Sequence, residues 1–210
     1  MTSSAPKLKV LVATTNGGKK AELAALFAHS QIELVFPELL ALVEETGETY
    51  ADNAVLKART LANARGCWAL ADDSGLEVEA LSGAPGVHSA RYAGEAATDA
   101  QNRKKLLEEM RRRPPAYRKA RFVCVMALCA PDGEVVLAEG ECQGRIYTEE
   151  RGEGGFGYDP IFWFPDLGKT MAELTDAEKN RISHRAKAAE KLLRSVRTLG
   201  AQGRIPLANP

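Results

Sequence analysis

The chain has 210 residues, with 28 basic side chains balanced by 28 acidic ones, so no global field draws it to nucleic acid or to a membrane surface. That length fits one generous domain, or two lobes sharing one sheet, with room for a substantial core. No apolar run approaches the roughly 18 residues of a membrane span, and the start Met1-Thr2-Ser3-Ser4-Ala5-Pro6 lacks the charge and apolar core of an export signal. Cys67, Cys124, Cys129 and Cys142 form no C-x-x-C pair. The expectation is a soluble, unexported, cytoplasmic protein with reduced thiols.

In chain order, residues 1–6 read as a flexible start, and Leu8 to Ala13 as a buried strand. The strand ends in Thr14-Thr15-Asn16-Gly17-Gly18-Lys19-Lys20, before a helical pattern of Ala21, Leu23, Ala24, Leu26 and Phe27. A glycine turn opening a helix, with a lysine beside it, is suited to phosphate, because backbone N–H groups and the positive helix end face the anion. It is not a Walker A loop: Ala13 stands where that pattern needs glycine, and Lys20 where it needs Ser or Thr. A plain strand-to-helix connection is the alternative.

Ile32 to Phe36 predicts a second strand stopped by Pro37, and Glu44-Glu45-Thr46-Gly47-Glu48-Thr49 a polar loop. Ala54, Val55, Ala58, Leu61 and Ala62 then recur at helical spacing up to Gly66, leaving Asn53, Lys57 and Arg59 off the apolar stripe. Trp68 to Ala71 makes the third strand, and Asp72-Asp73-Ser74-Gly75 follows it. Adjacent carboxylates at a strand end suit a magnesium ion, which takes one or two carboxylates together with substrate phosphates. Asp-Asp before Ser-Gly is also ordinary turn chemistry, and Glu44-Glu45 is equally compatible with a solvated loop.

Leu76 to Leu81 alternates as a further short strand would, and Gly83 to Tyr92 reads as a punctuated loop. Asp99 to Arg112 is helical and closed by Pro114-Pro115. Ala120 to Ala130 and Val135 to Ile146 form a hairpin about Pro131-Asp132-Gly133-Glu134. A glycine cluster, Gly152 to Gly157, leads to Tyr158-Asp159-Pro160 and the aromatic run Ile161 to Phe164. Thr175-Asp176-Ala177-Glu178 fits a capping box and Ser183 a second cap, so the C-terminal helix divides in two, with His184 and Arg185 in the first turn of its second piece. After Gly200 the chain is expected to fray. Arg111-Arg112-Arg113, with Arg118, Lys119 and Arg121, is the one basic run that points to nucleic acid, but Tyr117 is the only stacking residue within it. Helical crossovers followed by a late hairpin imply a mixed sheet in an α/β layered fold.

Taken together, these segments resemble the non-canonical purine nucleoside triphosphate pyrophosphatases, the inosine/xanthosine triphosphatase family. The matching stretches are Ala13 to Lys19, Glu44 to Gly47, Asn53 to Ala58, Ala71 to Gly75, Gly83 to Gly86 with Ser89 to Tyr92, Gly154 to Pro160, and Ser183 to Arg185. Seven motifs in register, spread from about Lys7 to Leu199, make the resemblance specific.

The resemblance implies an elongated mixed β-sheet flanked by helices, with two lobes around a central nucleotide-binding cleft. That makes 7–199 a single two-lobed domain and 200–210 a flexible tail. It implies magnesium-dependent hydrolysis of ITP, dITP and XTP between the α and β phosphorus atoms, by a homodimer. Charge balance and the lack of a long apolar run add the expectation that it binds neither nucleic acid nor membrane. Carried over by position, Thr14, Thr15, Asn16, Gly17, Gly18 and Lys19 hold the triphosphate, and Glu44, Glu45, Asp72 and Asp73 the metal. Asp73 also accepts the proton and Ser74 contacts substrate. Phe156, Gly157, Tyr158, Asp159, Lys179, His184 and Arg185 line the nucleotide, with Phe156 as stacking platform. The competing expectations are a pyrophosphatase of related architecture for modified pyrimidine nucleotides, and an RNA-binding module using the arginine run.

Overall fold

The aliphatic run that opens the chain pairs on both sides. In the computed structural model, which describes residues 7–40 and 43–207, strand β1 (Leu8–Val12) lies parallel to β2 (Ile32–Val35) and to β3 (Ala69–Val78). Parallel pairing needs crossovers, and helices α1 (Gly17–Phe27) and α2 (Tyr50–Arg65) supply them. Asn16 and Thr49 cap their starts, and Gly66 at φ 61° closes α2 in the left-handed region. Helix α3 (Asp99–Met110) carries a full capping box from Thr98 and Gln101. Strands β4 (Lys119–Cys129) and β5 (Val135–Ile146) follow, then the antiparallel β6 (Phe162–Phe164) and β7 (Lys169–Thr170). The seven strands run in the order β2-β1-β3-β4-β5-β6-β7, which is the mixed α/β sheet expected.

The C-terminal helix is divided as its caps predict. Helix α4 (Asp176–Ile182) ends at Ser183, whose extended backbone (φ −66°, ψ 155°) separates it from α5 (His184–Ala201). Past α5, Ile205 is buried at 1% exposure and Arg204 donates to Glu134 Oε1 at 2.8 Å. The tail expected to be flexible, 200–210, includes these residues; its last three, 208–210, and the expected flexible start, 1–6, lie outside the described residues. Among the described residues no helix is long and apolar enough to cross a membrane.

One expectation is corrected here. Asp72-Asp73-Ser74-Gly75 is not a turn after a short strand, and Leu76 to Leu81 is not a separate strand: Ala69 to Val78 is continuous, and Glu79–Leu81 is a single 3-10 turn. The strand lies between β1 and β4 and is almost wholly buried from Ala69 to Val78. Turning there would strand backbone N–H and C=O groups away from water, a cost that local Ser-Gly turn preference cannot offset.

The chain divides into two compact units, one of residues 1–73, 125–140 and 186–210, the other of 74–124 and 141–185. The first buries Val10, Val12, Leu23, Phe27, Ala54, Ala58, Leu70 and Met126. The second has a core of Leu76, Val78, Leu106, Met110, Phe122, Ile146, Ile161, Phe162 and Met171. Gly144 lies against this core, where a Cβ would come within 2.6 Å of the Phe162 ring.

Candidate active site

In the first unit, the loop after β1 becomes a helix start through Asn16. Its Oδ1 accepts the Lys19 N–H at 2.9 Å, and its own N–H donates to Thr14 Oγ1 at 3.3 Å. The first turn of α1 carries no acid, so no side chain of that turn offsets its positive end. Gly17 faces open space, with no atom within 4 Å of where a Cβ would stand. The Lys19 ammonium reaches the end of the neighbouring strand, meeting Asp72 Oδ2 at 2.9 Å and the Asp72 carbonyl at 3.4 Å.

The acidic loop and the second helix build the other half of this cluster. Lys57 Nζ donates to Glu45 Oε1 at 2.7 Å and to Asp73 Oδ1 at 2.9 Å. Asn53, one turn earlier on α2 and only 1% exposed, donates to Asp73 Oδ2 at 3.4 Å. Its Oδ1 accepts the Gly47 N–H at 2.8 Å and its amide donates back to the Gly47 carbonyl at 3.4 Å. Gly47 must lack a side chain, since a Cβ would sit 2.6 Å from Asp52 Cβ and 2.7 Å from Asn53 Oδ1. Asn53 therefore ties the acidic loop to the strand carboxylate.

These contacts set the charge states. Burial pushes the Asp73 carboxyl above the ordinary carboxylate range, with the Lys57 charge pulling it back and the Glu45 charge adding to the rise. Burial works against the Lys57 ammonium, but Asp73 and Glu45 more than offset it and hold the amine above the usual lysine value.

The four acids expected to share a metal are not gathered into one group. Glu44 is exposed, and Asp72 is engaged by Lys19. Glu45 and Asp73, from different elements, meet at a single ammonium. Among the described residues no three His, Cys, Asp or Glu side chains form a cage for an ion. That donor set fits magnesium, which is content with one or two carboxylates when phosphates complete its shell.

The second unit holds the remaining predicted residues. Asp159 Oδ2 accepts the Phe156 N–H at 2.9 Å and Lys179 Nζ at 2.6 Å, and both side chains of that ion pair are nearly buried. Gly155, at φ +72°, passes so close that a Cβ would fall 2.1 Å from Asp159 Oδ2. Lys179 Nζ stands 4.9 Å and the Arg185 guanidinium 5.6 Å from the centre of the Phe156 ring, within cation–π range. Arg185, 1% exposed, donates to Ser74 Oγ at 2.9 Å. His184 stacks on Phe122, with centroids 4.7 Å apart and planes 13° apart.

Tyr158 is placed differently from a ligand-facing side chain: its ring is in the core and its hydroxyl donates to the Ser89 carbonyl at 2.8 Å. What it can offer a ligand is its backbone. Two members of the basic run are engaged within the protein, while Arg111, Arg112 and Arg113 are exposed. Arg118 is buried and donates to the carbonyls of Met110, Arg113, Ile146 and Tyr147, while Arg121 pairs with Glu77 and Glu141. Sequence reasoning left Asn53 and Lys57 out of the site. The available signal was their i, i+4 spacing on an otherwise alanine-rich helix.

A model of the Ham1 family matches residues 10–195. The dITP/XTP pyrophosphatase of Geobacillus kaustophilus is 52% identical over 188 residues, covering 88% of this chain and 92% of its own. The dITP/XTP pyrophosphatase of Desulforamulus reducens is 49% identical over 196 residues, covering 91% and 97%. The solved structure of a HAM1 protein from Coxiella burnetii superposes with a TM-score of 0.80 at 42% identity, covering 91% of this chain and 99% of that one.

Proposed function

The chain belongs to the Ham1 family, and from that premise we propose that it hydrolyses ITP, dITP and XTP to the monophosphate and pyrophosphate, clearing them from the nucleotide pool. The observation that carries the chemistry is the meeting of Glu45 and Asp73 at Lys57, 2.7 and 2.9 Å from one ammonium. Phosphoryl transfer asks for positioning and charge neutralisation more than for a covalent nucleophile.

In this reading Asp73 accepts the proton of the attacking water. A carboxyl held above its ordinary range is the better base, and Asn53 and Lys57 fix its two oxygens in place. Thr14, Thr15, Asn16, Gly17, Gly18 and Lys19 receive the triphosphate at the start of α1. Glu45 and Asp73 would hold magnesium, with Glu44 and Asp72 as the further acids of the set. When bound, the ion supplies charge neutralisation on the phosphates.

Phe156 stacks the purine, and Ser74, Gly157, Tyr158 through its backbone, Asp159, Lys179, His184 and Arg185 complete the nucleoside contacts. Lys179 and Arg185 bring N–H donors to the platform. A 6-oxo purine presents an acceptor to such donors, whereas adenine presents its amino group, a donor facing donors. A site built to hydrogen-bond the oxo group supports discrimination of roughly 10⁴-fold or more against a base that lacks it. The enzyme is proposed to work in the cytoplasm as a homodimer. Pyrophosphate release from ITP, XTP, GTP, ATP and TTP tests the reading: ITP and XTP should dominate, and equal rates on ATP and ITP would overturn it.

A further inference from the structure

The turn that carries Phe156 is anchored from outside its own motif. Gly157, at φ 59°, has both of its polar backbone groups taken by α3. Its N–H donates to Asp99 Oδ2 at 2.7 Å, and its carbonyl accepts from Arg103 Nη1 at 2.8 Å. Asp99 and Arg103 are four residues apart and so share one face of the helix. The capping box of Thr98 and Gln101 fixes the turn from which Asp99 projects. The Arg103 guanidinium is held in its turn by Glu150 Oε1 at 3.0 Å.

Phe156 therefore stands between two restrained amides: its own N–H is bound by Asp159, and the N–H and carbonyl of the next residue, on successive peptide groups, are both bound by α3. Charge-assisted hydrogen bonds of this length are directional as well as strong. Releasing either one frees the Gly157 backbone, which as glycine has wide conformational choice.

We propose that Asp99 and Arg103 are positioning residues for nucleobase recognition, a clamp on the Gly157 backbone that holds the Phe156 ring in its stacking pose. The proposal rests on the reading of Phe156 as the purine platform. Neither residue touches the reacting atoms, so the clamp acts on substrate capture rather than on proton transfer.

The test compares kcat and KM for ITP in the full chain carrying Asp99→Ala, Asp99→Asn, Arg103→Met or Phe156→Ala, with folding checked by circular dichroism. A structural lesion that lowers the active fraction reduces kcat and leaves KM alone. Clamp loss should instead raise KM in Asp99→Ala and Arg103→Met, by tenfold up to about 10²-fold for a misplaced platform. Asp99→Asn keeps an acceptor oxygen and should stay within about threefold of the parent by the same reasoning. The clamp is refuted if KM is unchanged in Asp99→Ala and Arg103→Met while Phe156→Ala raises it, or if Asp99→Asn fails as badly as Asp99→Ala. An unchanged KM in Phe156→Ala would instead overturn the platform reading beneath it.

Discussion

The buried pair Lys179–Asp159 offers the sharpest quantitative prediction. The ammonium and carboxylate are 2.6 Å apart and their side chains only 6% and 5% exposed, so solvent screens them little. Lys179→Met removes the cation and leaves the Asp159 charge buried, still accepting the Phe156 N–H. Breaking such a pair from one side costs about 3–5 kcal/mol. At roughly 2–4 °C per kcal/mol for a chain of this size, that lowers the melting temperature by about 6–20 °C.

The double variant Asp159→Asn/Lys179→Met separates charge from packing. The asparagine side chain cannot ionise yet offers an amide oxygen to the Phe156 N–H, so the stability of the double variant should return to within about 2 kcal/mol of the parent. Activity on ITP should not return, because Lys179 is also the donor beside the Phe156 ring. Urea denaturation gives the free energies and ITP turnover gives the function. A double variant as unstable as Lys179→Met alone would show that the stranded charge is not the cause.

Asp73→Asn should lower kcat by about 10²-fold or more, the scale of a lost general base, while isothermal titration still detects ITP; a near-normal rate places the base elsewhere. Gly155→Ala forces a Cβ onto Asp159 Oδ2 at φ +72° and should cost both stability and ITP turnover, so a variant that melts and turns over like the parent refutes the contact. Tyr92 is held well above the ordinary phenol range, first by burial and then by its hydrogen bond to Glu109. A raised folded pKa contributes stability that is complete below the unfolded value of about 10 and is lost as pH rises through the folded one. Tyr92→Phe should therefore flatten the fall in stability above about pH 10; an unchanged alkaline slope in urea melts would contradict it.

Local chemistry was enough to place most elements. The break at Ser183 followed from a capping box at Thr175 and Glu178, and α1 from the Asn16 turn, because caps act over three or four residues. The β4–β5 hairpin followed from apolar runs about Asp132-Gly133. The seven motifs that carry the resemblance were equally legible, being local strings in register.

Partnerships between side chains came from long-range packing instead. Glu44 and Glu45 are adjacent and chemically alike, yet only Glu45 meets Lys57, because the loop is tied through Gly47 to Asn53 and turns one carboxylate inward. Asp72 and Asp73, also adjacent, point to opposite faces of a strand as its period of two demands, one to Lys19 and the other to Lys57. Their apparent turn became the middle of that strand because neighbours on both sides pair its backbone. The linear order of residues specified which acids, lysines and glycines were available. Which carboxylate met which ammonium, across 53 residues for Asp72 and 16 for Asp73, was settled by the fold, since Coulomb and hydrogen-bond energies depend on distances that only the folded chain defines.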